Sequence, residues 1–276
     1  MRAFSRRRSC LTVPGGSEKM LRKAAGLGAD EIVLDLEDGV APDGKDAARR
    51  MVVEALRGGA FAGRQIAVRI NGIGTPWHGA DVAALGGLKL RGLSVVLPKA
   101  AGGEDIKRVV SATGLDVQAL IETAAGLARC QEIAAASSSL VSLIIGYGDL
   151  ASSLGRSESA GWDFAQEAVL LVARVNGLQA IDGPCFDLSA GSTRLKDEAT
   201  VTAAKGFDGK WAIHPSQIAT INAAFTPSEE AVRRARGIVA ALDAAQGGVA
   251  VFEGEMIDEA IRGGALRILA KAEGAN

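Results

Sequence analysis

The sequence predicts an α/β fold, a (β/α)8 (TIM) barrel with additional C-terminal helices. Three observations carry that expectation. Short apolar runs rich in β-branched residues recur along the chain, with helical stretches between them. Eight such runs fall within about 215 residues, spaced roughly 20 to 35 apart, the size of a strand–helix unit. Several are apolar on both faces, as in Ile32-Val33-Leu34, Val95-Val96-Leu97 and Leu143-Ile144-Ile145. Strands covered by helices outside and by packed side chains inside have that character. A doubly wound sheet uses the same units and is the competing architecture.

In chain order, strands are expected over residues 10–13, 31–36, 65–70, 92–97, 117–121, 141–145, 179–181 and 211–213. Residues 1–225 are assigned to the barrel and residues 226–276 to a helical extension. Thr226-Pro227-Ser228-Glu229 reads as a helix start, with Thr226 as N-cap, Pro227 at the first helical position and Glu229 closing a capping box. The helix that follows places Val232, Ala235, Val239 and Leu242 on one stripe. A last helix is expected from near Glu255, carrying Ile257, Ile261 and Ile268, with Gly263-Gly264 weakening its middle. These helices are surplus to a barrel and are expected to cap it or to reach a neighbouring subunit.

Composition narrows the function classes. Hydrophobic residues make up 48% of the 276 and charged residues 23%, which excludes a disordered chain. Lys and Arg total 31 against 32 Asp and Glu, so no basic excess exists to grip nucleic acid. The longest uncharged run, residues 133–148, is shorter than the roughly 20 residues of a spanning helix, and a soluble protein is expected. Cys10, Cys130 and Cys185 show no CxxC or Cys/His spacing. Reduced thiols in a cytoplasmic setting are expected, without a zinc site or disulfides. The Arg-rich residues 1–8 form a leader shorter than transit peptides usually are, because a strand-like run begins near Ser9, and a transit peptide is not expected.

In a barrel, chemistry gathers where strands end and the following loops begin. Strand two ends in Asp35-Leu36-Glu37-Asp38, strand three in Arg69-Ile70-Asn71, strand four in Pro98-Lys99 and strand five in Glu122-Thr123. Gly146-Tyr147-Gly148-Asp149 follows strand six, Asp182-Gly183 strand seven and His214-Pro215 strand eight. Together they read as an active-site face. Glu122 and Asp149 lie 27 residues apart, so they should leave adjacent strands roughly 5 Å apart. Two hard carboxylates at that separation can share Mg2+, which keeps positions open for substrate oxygens. Without a cation they would repel, and one would hold its proton. Gly146 and Gly148 leave room for a ligand carboxylate to approach backbone N–H groups, and Arg69 offers a planar fork to a carboxylate or enolate oxygen.

Residues 146–151 formally match the GxGxxA dinucleotide fingerprint. Asp149 would repel the pyrophosphate there, and no acidic residue ends the next strand at the required distance, so that reading is set aside. His214, before Pro215, reads as structural rather than as an acid/base group.

Several segments resemble the citrate lyase β-subunit-like family of CoA-ester lyases, which includes malyl-CoA and citramalyl-CoA lyases. They are Arg8-Ser9-Cys10-Leu11-Thr12-Val13-Pro14-Gly15, Leu34-Asp35-Leu36-Glu37-Asp38-Gly39-Val40-Ala41-Pro42, Arg69-Ile70-Asn71-Gly72, Leu97-Pro98-Lys99 and Ile121-Glu122-Thr123. The run from Gly206 to Gln217 and the terminal Gly254-Glu255-Met256-Ile257-Asp258 belong with them. They occur in family order from residue 8 to beyond residue 258.

The resemblance implies a (β/α)8 barrel, Mg2+ dependence and carbon–carbon cleavage of a 3-hydroxyacyl thioester to acetyl-CoA and a 2-oxo acid. By position, Glu122 and Asp149 match the family's metal carboxylates and Arg69 its substrate- and enolate-contacting arginine, with Gly148 beside the substrate. Asp258 matches an aspartate delivered from an adjacent subunit, which implies a homo-oligomer, a trimer or hexamer. Asp35, Glu37 and Asp38 match an acidic strand end that holds metal-bound waters or orients the arginine. Thr12 departs from the large apolar or aromatic residue of many members. Gly16-Ser17 replaces a basic residue near the CoA phosphates, leaving Lys19 and Lys23 as candidate CoA-binding cations. The alternatives are a citrate lyase β-subunit acting on a carrier-protein thioester, a condensing enzyme with thioester hydrolysis, a non-catalytic subunit of a larger complex, and a metal-dependent aldolase acting on free 2-oxo acids.

Overall fold

The computed structural model describes residues 5–157, 160–246 and 248–273; residues 1–4, which open the Arg-rich stretch, lie outside them. Eight parallel strands close in chain order: β1 (Ser9–Pro14), β2 (Glu31–Asp35), β3 (Gln65–Arg69), β4 (Leu93–Leu97), β5 (Asp116–Ile121), β6 (Leu140–Ile145), β7 (Gln179–Asp182) and β8 (Gly209–Ala212). β8 pairs back onto β1, so no strand of the barrel is an edge, and the open doubly wound sheet is excluded. The first ten helices are α1 (Glu18–Ala24), α2 (Lys45–Arg57), α3 (His78–Leu85), α4 (Gly103–Thr113), α5 (Ala124–Ala128), α6 (Cys130–Ala134), α7 (Tyr147–Leu154), α8 (Asp163–Val175), α9 (Arg194–Lys205) and α10 (Ile218–Ala224). Among the described residues, no helix is long and apolar enough to cross a membrane. The three cysteines are buried and free.

One residue from each strand builds a buried apolar layer: Cys10, Val33, Ala67, Val96, Leu120, Ile144, Ile181 and Trp211. The two-residue period of a strand then determines what lies above and below it. Two residues toward the N-terminal end, the same face carries Glu31, Ser94, Gln118 and Ser142, all buried. Gln118 Nε2 donates to Glu31 Oε1 and Ser94 Oγ at 3.0 Å each, Ser142 Oγ donates to Gln118 Oε1 at 2.8 Å, and Arg7 Nε donates to Glu31 Oε1 at 2.9 Å. Two residues toward the C-terminal end, the face carries Asp35, Arg69, Glu122 and Gly146. An apolar waist therefore separates a hydrogen-bonded polar base from a charged mouth.

β8 begins two residues before its expected start and includes Gly209 and Lys210. Lys210 is 1% exposed, and its ammonium donates to Asp182 Oδ2 at 2.6 Å across the β7–β8 pair. Gly209 is needed there, since a Cβ would lie 1.7 Å from the Arg7 carbonyl oxygen.

The chain divides into two compact units, residues 7–222 and a second made of residues from 223 onward with those before Arg7. The second unit contains α11 (Glu229–Ala244), a hairpin of β9 (Ala250–Phe252) and β10 (Glu255–Ile257), and α12 (Glu259–Glu273). Its core is Ala235, Ile238, Leu242, Ile257 and Ala265, with Val239 packed at the margin. Two expectations are corrected. The N-cap of α11 is Ser228, whose Oγ accepts from Ala231 N at 3.1 Å, so Thr226 and Pro227 precede the helix. Residues 255–257 are a strand, because Glu253 (φ 51°) and Gly254 (φ 81°) both adopt the left-handed conformation of a two-residue hairpin turn.

Candidate active site

Asp35 and Arg69 are the last residues of β2 and β3 and stand in register, so their side chains leave the barrel on one face. Asp35 is buried, and its oxygens accept the backbone N–H groups of Glu37 at 2.9 Å and Gly39 at 2.8 Å, which folds the acidic segment back over the strand end. Arg69 donates to the same carboxylate through Nε and Nη2, each at 2.7 Å. Its Nη1 lies 3.0 Å from Glu37 Oε2, an ion pair without hydrogen-bond geometry, and 3.8 Å from Asp38 Oδ2. The guanidinium carbon stands 5.6 Å from the Trp211 ring centre, so the charge rests on the apolar waist. Burial opposes the Arg69 charge, but the Asp35 hydrogen bonds and the charges of Asp35, Glu37 and Asp38 raise its pKa above the ordinary range.

Lys45 on α2 is buried and donates to the carbonyl oxygens of Leu36 at 2.8 Å and Glu37 at 2.6 Å, fixing the backbone of the acidic segment. Burial lowers its pKa against the pull of Asp35 and Glu37.

Lys99 follows β4 with φ at 52°, a left-handed conformation that costs a non-glycine residue about 1–3 kcal/mol. That conformation turns two groups of one residue toward the same carboxylates. The Lys99 N–H donates to Glu122 Oε1 at 2.9 Å. Its ammonium lies 2.8 Å from Glu37 Oε1, 3.5 Å from Asp149 Oδ2 and 3.8 Å from Glu122 Oε1. Lys99 is the functional-site residue that sequence reasoning noted only as a polar strand end. The available signal was its place in Leu97-Pro98-Lys99, directly after a buried strand.

Glu122 is 2% exposed, and its carboxyl is pushed up to about 8, first by burial and then by the negative charge of Glu37, with Lys99 opposing. The direction is the one expected of a crowded carboxyl, but the leading cause is burial followed by Glu37, with Asp149 contributing less. Burial likewise raises Glu37, against the pull of Arg69 and Lys99. Asp149 sits in the first turn of α7 rather than at a strand end, yet it reaches the ammonium that Glu122 approaches.

The glycines divide differently from expectation. A Cβ on Gly146 would lie 2.4 Å from Glu122 Oε2 and 2.7 Å from Glu122 Cβ, so the room at Gly146 accommodates Glu122 rather than a ligand. A Cβ on Gly148 would meet only Phe186 Cζ at 3.9 Å.

Other polar strand ends turn to structural partners. Asn71 donates to Asp81 Oδ2 from its backbone at 2.8 Å and from its side chain at 2.6 Å. Thr123 caps α5 by accepting from Gly126 N at 3.0 Å. Asp182 pairs with Lys210 and accepts the Tyr147 hydroxyl. His214 caps a short turn through Nδ1, near Ser216 N at 3.2 Å and Ser216 Oγ at 2.8 Å, which fits its structural reading. Lys19 and Lys23 are exposed on α1, and a surface groove of about 460 Å3 against α2 is lined by Arg22 instead. Asp258 belongs to the second unit and accepts from Ala260 N at 2.9 Å at the start of α12.

Among the described residues, no group of three or more His, Cys, Asp or Glu side chains converges as a metal centre. The donor set at the barrel mouth is instead two hard carboxylates, Glu122 and Asp149, around one cation. That set suits Mg2+, which takes one or two protein carboxylates and completes its shell with water and substrate oxygens.

Residues 8–215 match the HpcH/HpaI aldolase/citrate lyase family. The chain is 36% identical to the L-malyl-CoA/beta-methylmalyl-CoA lyase of Cereibacter sphaeroides, over 89% of this chain and 88% of that protein. It is also 36% identical to a (3S)-malyl-CoA thioesterase of the same species, over 96% of this chain and 94% of that protein. Among solved structures, CitE from Mycobacterium tuberculosis, in complex with magnesium, acetoacetate and coenzyme A, aligns with a TM-score of 0.79 at 33% identity, covering 99% of this chain and 100% of that one. RipC from Yersinia pestis aligns with a TM-score of 0.69 at 31% identity, covering 82% and 98%.

Proposed function

The chain belongs to the HpcH/HpaI aldolase/citrate lyase family, and we propose that within it the protein is a Mg2+-dependent carbon–carbon lyase. Its proposed substrates are 3-hydroxyacyl-CoA thioesters of the malyl-, citramalyl- or citryl-CoA type, cleaved to acetyl-CoA and a 2-oxo acid. The observation that carries this reading is the meeting of Asp35–Arg69 with Glu37, Glu122 and Asp149 around Lys99 at the mouth of the barrel.

Glu122 and Asp149 would hold Mg2+, which when bound supplies Lewis-acid polarisation of the hydroxy-acid oxygens. Arg69 offers the N–H groups of Nη1 and Nη2 that Asp35 and Glu37 leave uncommitted, and these would bind the thioester oxygen. In the cleavage, the hydroxyl would pass its proton to a water molecule as the bond between the carbinol carbon and the thioester α-carbon breaks. The electron pair passes into the thioester enolate, whose oxygen charge Arg69 stabilises. Asp258 of a neighbouring subunit would then protonate the enolate carbon, completing acetyl-CoA. Gly148 leaves a backbone approach for the substrate carboxylate, and Lys19 and Lys23 remain the proposed cations for the CoA phosphates. This use of Asp258 requires a homo-oligomer, proposed as a trimer or hexamer. The composition fits a cytoplasmic location.

A second reading is hydrolysis of the same thioester. The chain spans 94% of the thioesterase relative and 88% of the lyase relative at equal identity. One experiment separates the two. The protein is incubated with Mg2+ and, in turn, malyl-CoA, citramalyl-CoA, citryl-CoA and a citryl thioester of an acyl carrier protein, with EDTA controls, and products are followed by mass spectrometry. Metal-dependent acetyl-CoA and 2-oxo acid establish the lyase. Free CoA and the intact hydroxy acid establish the thioesterase. Turnover only with a carrier-protein thioester would overturn both in favour of a citrate lyase β-subunit.

A further inference from the structure

Lys99 contributes two groups to the carboxylates that the proposed function assigns to a divalent cation. Its N–H holds Glu122 Oε1 at 2.9 Å, while Glu122 Oε2 lies over Gly146, where no side chain intrudes. Its ammonium is unequally shared, 2.8 Å from Glu37 but 3.5 Å from Asp149 and 3.8 Å from Glu122. The closest partner is the carboxylate outside the assigned metal pair. The Lys99 side chain is 39% exposed, so solvent-side space exists for it to move.

We propose that Lys99 is a built-in counter-ion that a divalent cation must displace from Glu122 and Asp149, and that it thereby sets the metal affinity of the site. The inference rests on the reading of Glu122 and Asp149 as cation ligands. The physical basis is Coulombic. Glu37, Glu122 and Asp149 carry three carboxyl groups, and one tethered ammonium among them competes with any added cation for Glu122 and Asp149. Glu37 gives the displaced ammonium a place to remain, since its contact is already the shortest of the three. The Lys99 N–H is unaffected by the movement, so Glu122 stays oriented while its charge is released. Lys99 is a positioning residue under this scheme, acting on the metal ligands rather than on substrate.

The test is Mn2+ binding to the full-length protein by electron paramagnetic resonance, without substrate, for wild type, K99Q and K99R. K99Q removes the charge and retains a hydrogen-bonding group for Glu37, and K99R retains the charge. The expected result is Mn2+ binding at least five-fold tighter in K99Q and within two-fold of wild type in K99R. Equal or weaker binding by folded K99Q overturns the role of Lys99 while leaving the metal site standing. Absence of Mn2+ binding by wild type overturns the metal assignment and this inference together. A wild-type readout applies even if K99Q does not fold. In crystals grown with Mg2+ bound at Glu122 and Asp149, the Lys99 ammonium should lie beyond 4 Å from Asp149 and within hydrogen-bond distance of Glu37. An ammonium still paired with Asp149 beside the bound metal overturns the proposal.

Discussion

Asp35 and Arg69 end adjacent strands in register and close on each other through two hydrogen bonds of 2.7 Å. The pair converts a local fact of strand pairing into a fixed guanidinium. Asp35 is itself held by the Glu37 and Gly39 N–H groups, and a Cβ at Gly39 would lie 2.5 Å from Asp35 Oδ2. The arginine is therefore oriented before any ligand arrives, with its Nε/Nη2 edge committed.

Asp35→Asn should weaken this arrangement severely. Removing one partner of a buried ion pair leaves the other charge uncompensated, a loss of roughly 3 kcal/mol even with Glu37 still beside Arg69. Urea unfolding measures that loss. Turnover of the identified substrate should fall about 100-fold or more as Arg69 loses its orientation. Wild-type turnover in a folded D35N protein would contradict the positioning role.

Gly146→Ala should act on Glu122 rather than on the fold. The added methyl group meets the Glu122 side chain at 2.4 Å and 2.7 Å, and the carboxyl must rotate away. Mg2+ affinity measured by calorimetry should drop about ten-fold or more, equivalent to roughly 1.4 kcal/mol. Unchanged affinity would show that Glu122 has freedom the barrel mouth does not display.

Stability of the metal-free protein should depend on pH through Glu122. Its folded pKa is raised to about 8 from an ordinary 4.5, so between those values the folded state binds the proton that the unfolded chain has lost. Stability falls as pH rises through this window and levels off above about pH 8. Thermal melts in EDTA should show wild type losing ground to Glu122→Gln across the window. Parallel curves for the two proteins would contradict the buried, charge-crowded setting of Glu122.

Asp258→Ala should separate chemistry from metal binding. Loss of a proton-transferring side chain should lower turnover by about 100- to 10,000-fold while calorimetric Mg2+ affinity persists. Glu122→Ala and Asp149→Ala should instead abolish Mg2+ binding. A collapse of metal affinity in D258A would remove Asp258 from its proposed role.

Much of the barrel was legible because its evidence is local. Apolar runs, their spacing and their polar C-terminal ends identify eight strand–helix units without knowledge of any contact. The hairpin of the second unit was not legible, since Glu253-Gly254 is a weaker turn signal than Asn-Gly and the preceding run is only three residues long. β8 was misplaced for a different reason. Its first two residues, Gly209 and Lys210, lie outside the apolar run, and Lys210 joins the strand buried against Asp182.

The sequence by itself determined the eight strand–helix units and the roster of polar groups at the strand ends, because strand period and unit spacing are properties of short segments. The closure of β8 on β1 that makes them a barrel is tertiary. Which of those groups meet was decided only by the tertiary structure. Strands apolar on both faces carry no alternation to say which side faces the barrel axis. Closure sets that parity. Leu120 and Ile181 point inward, so Glu122, two residues on, joins the mouth, while Asp182, one residue on, turns outward to Lys210. By the same rule Lys99, three residues after inward Val96, should turn outward, and its left-handed backbone returns it to the carboxylates.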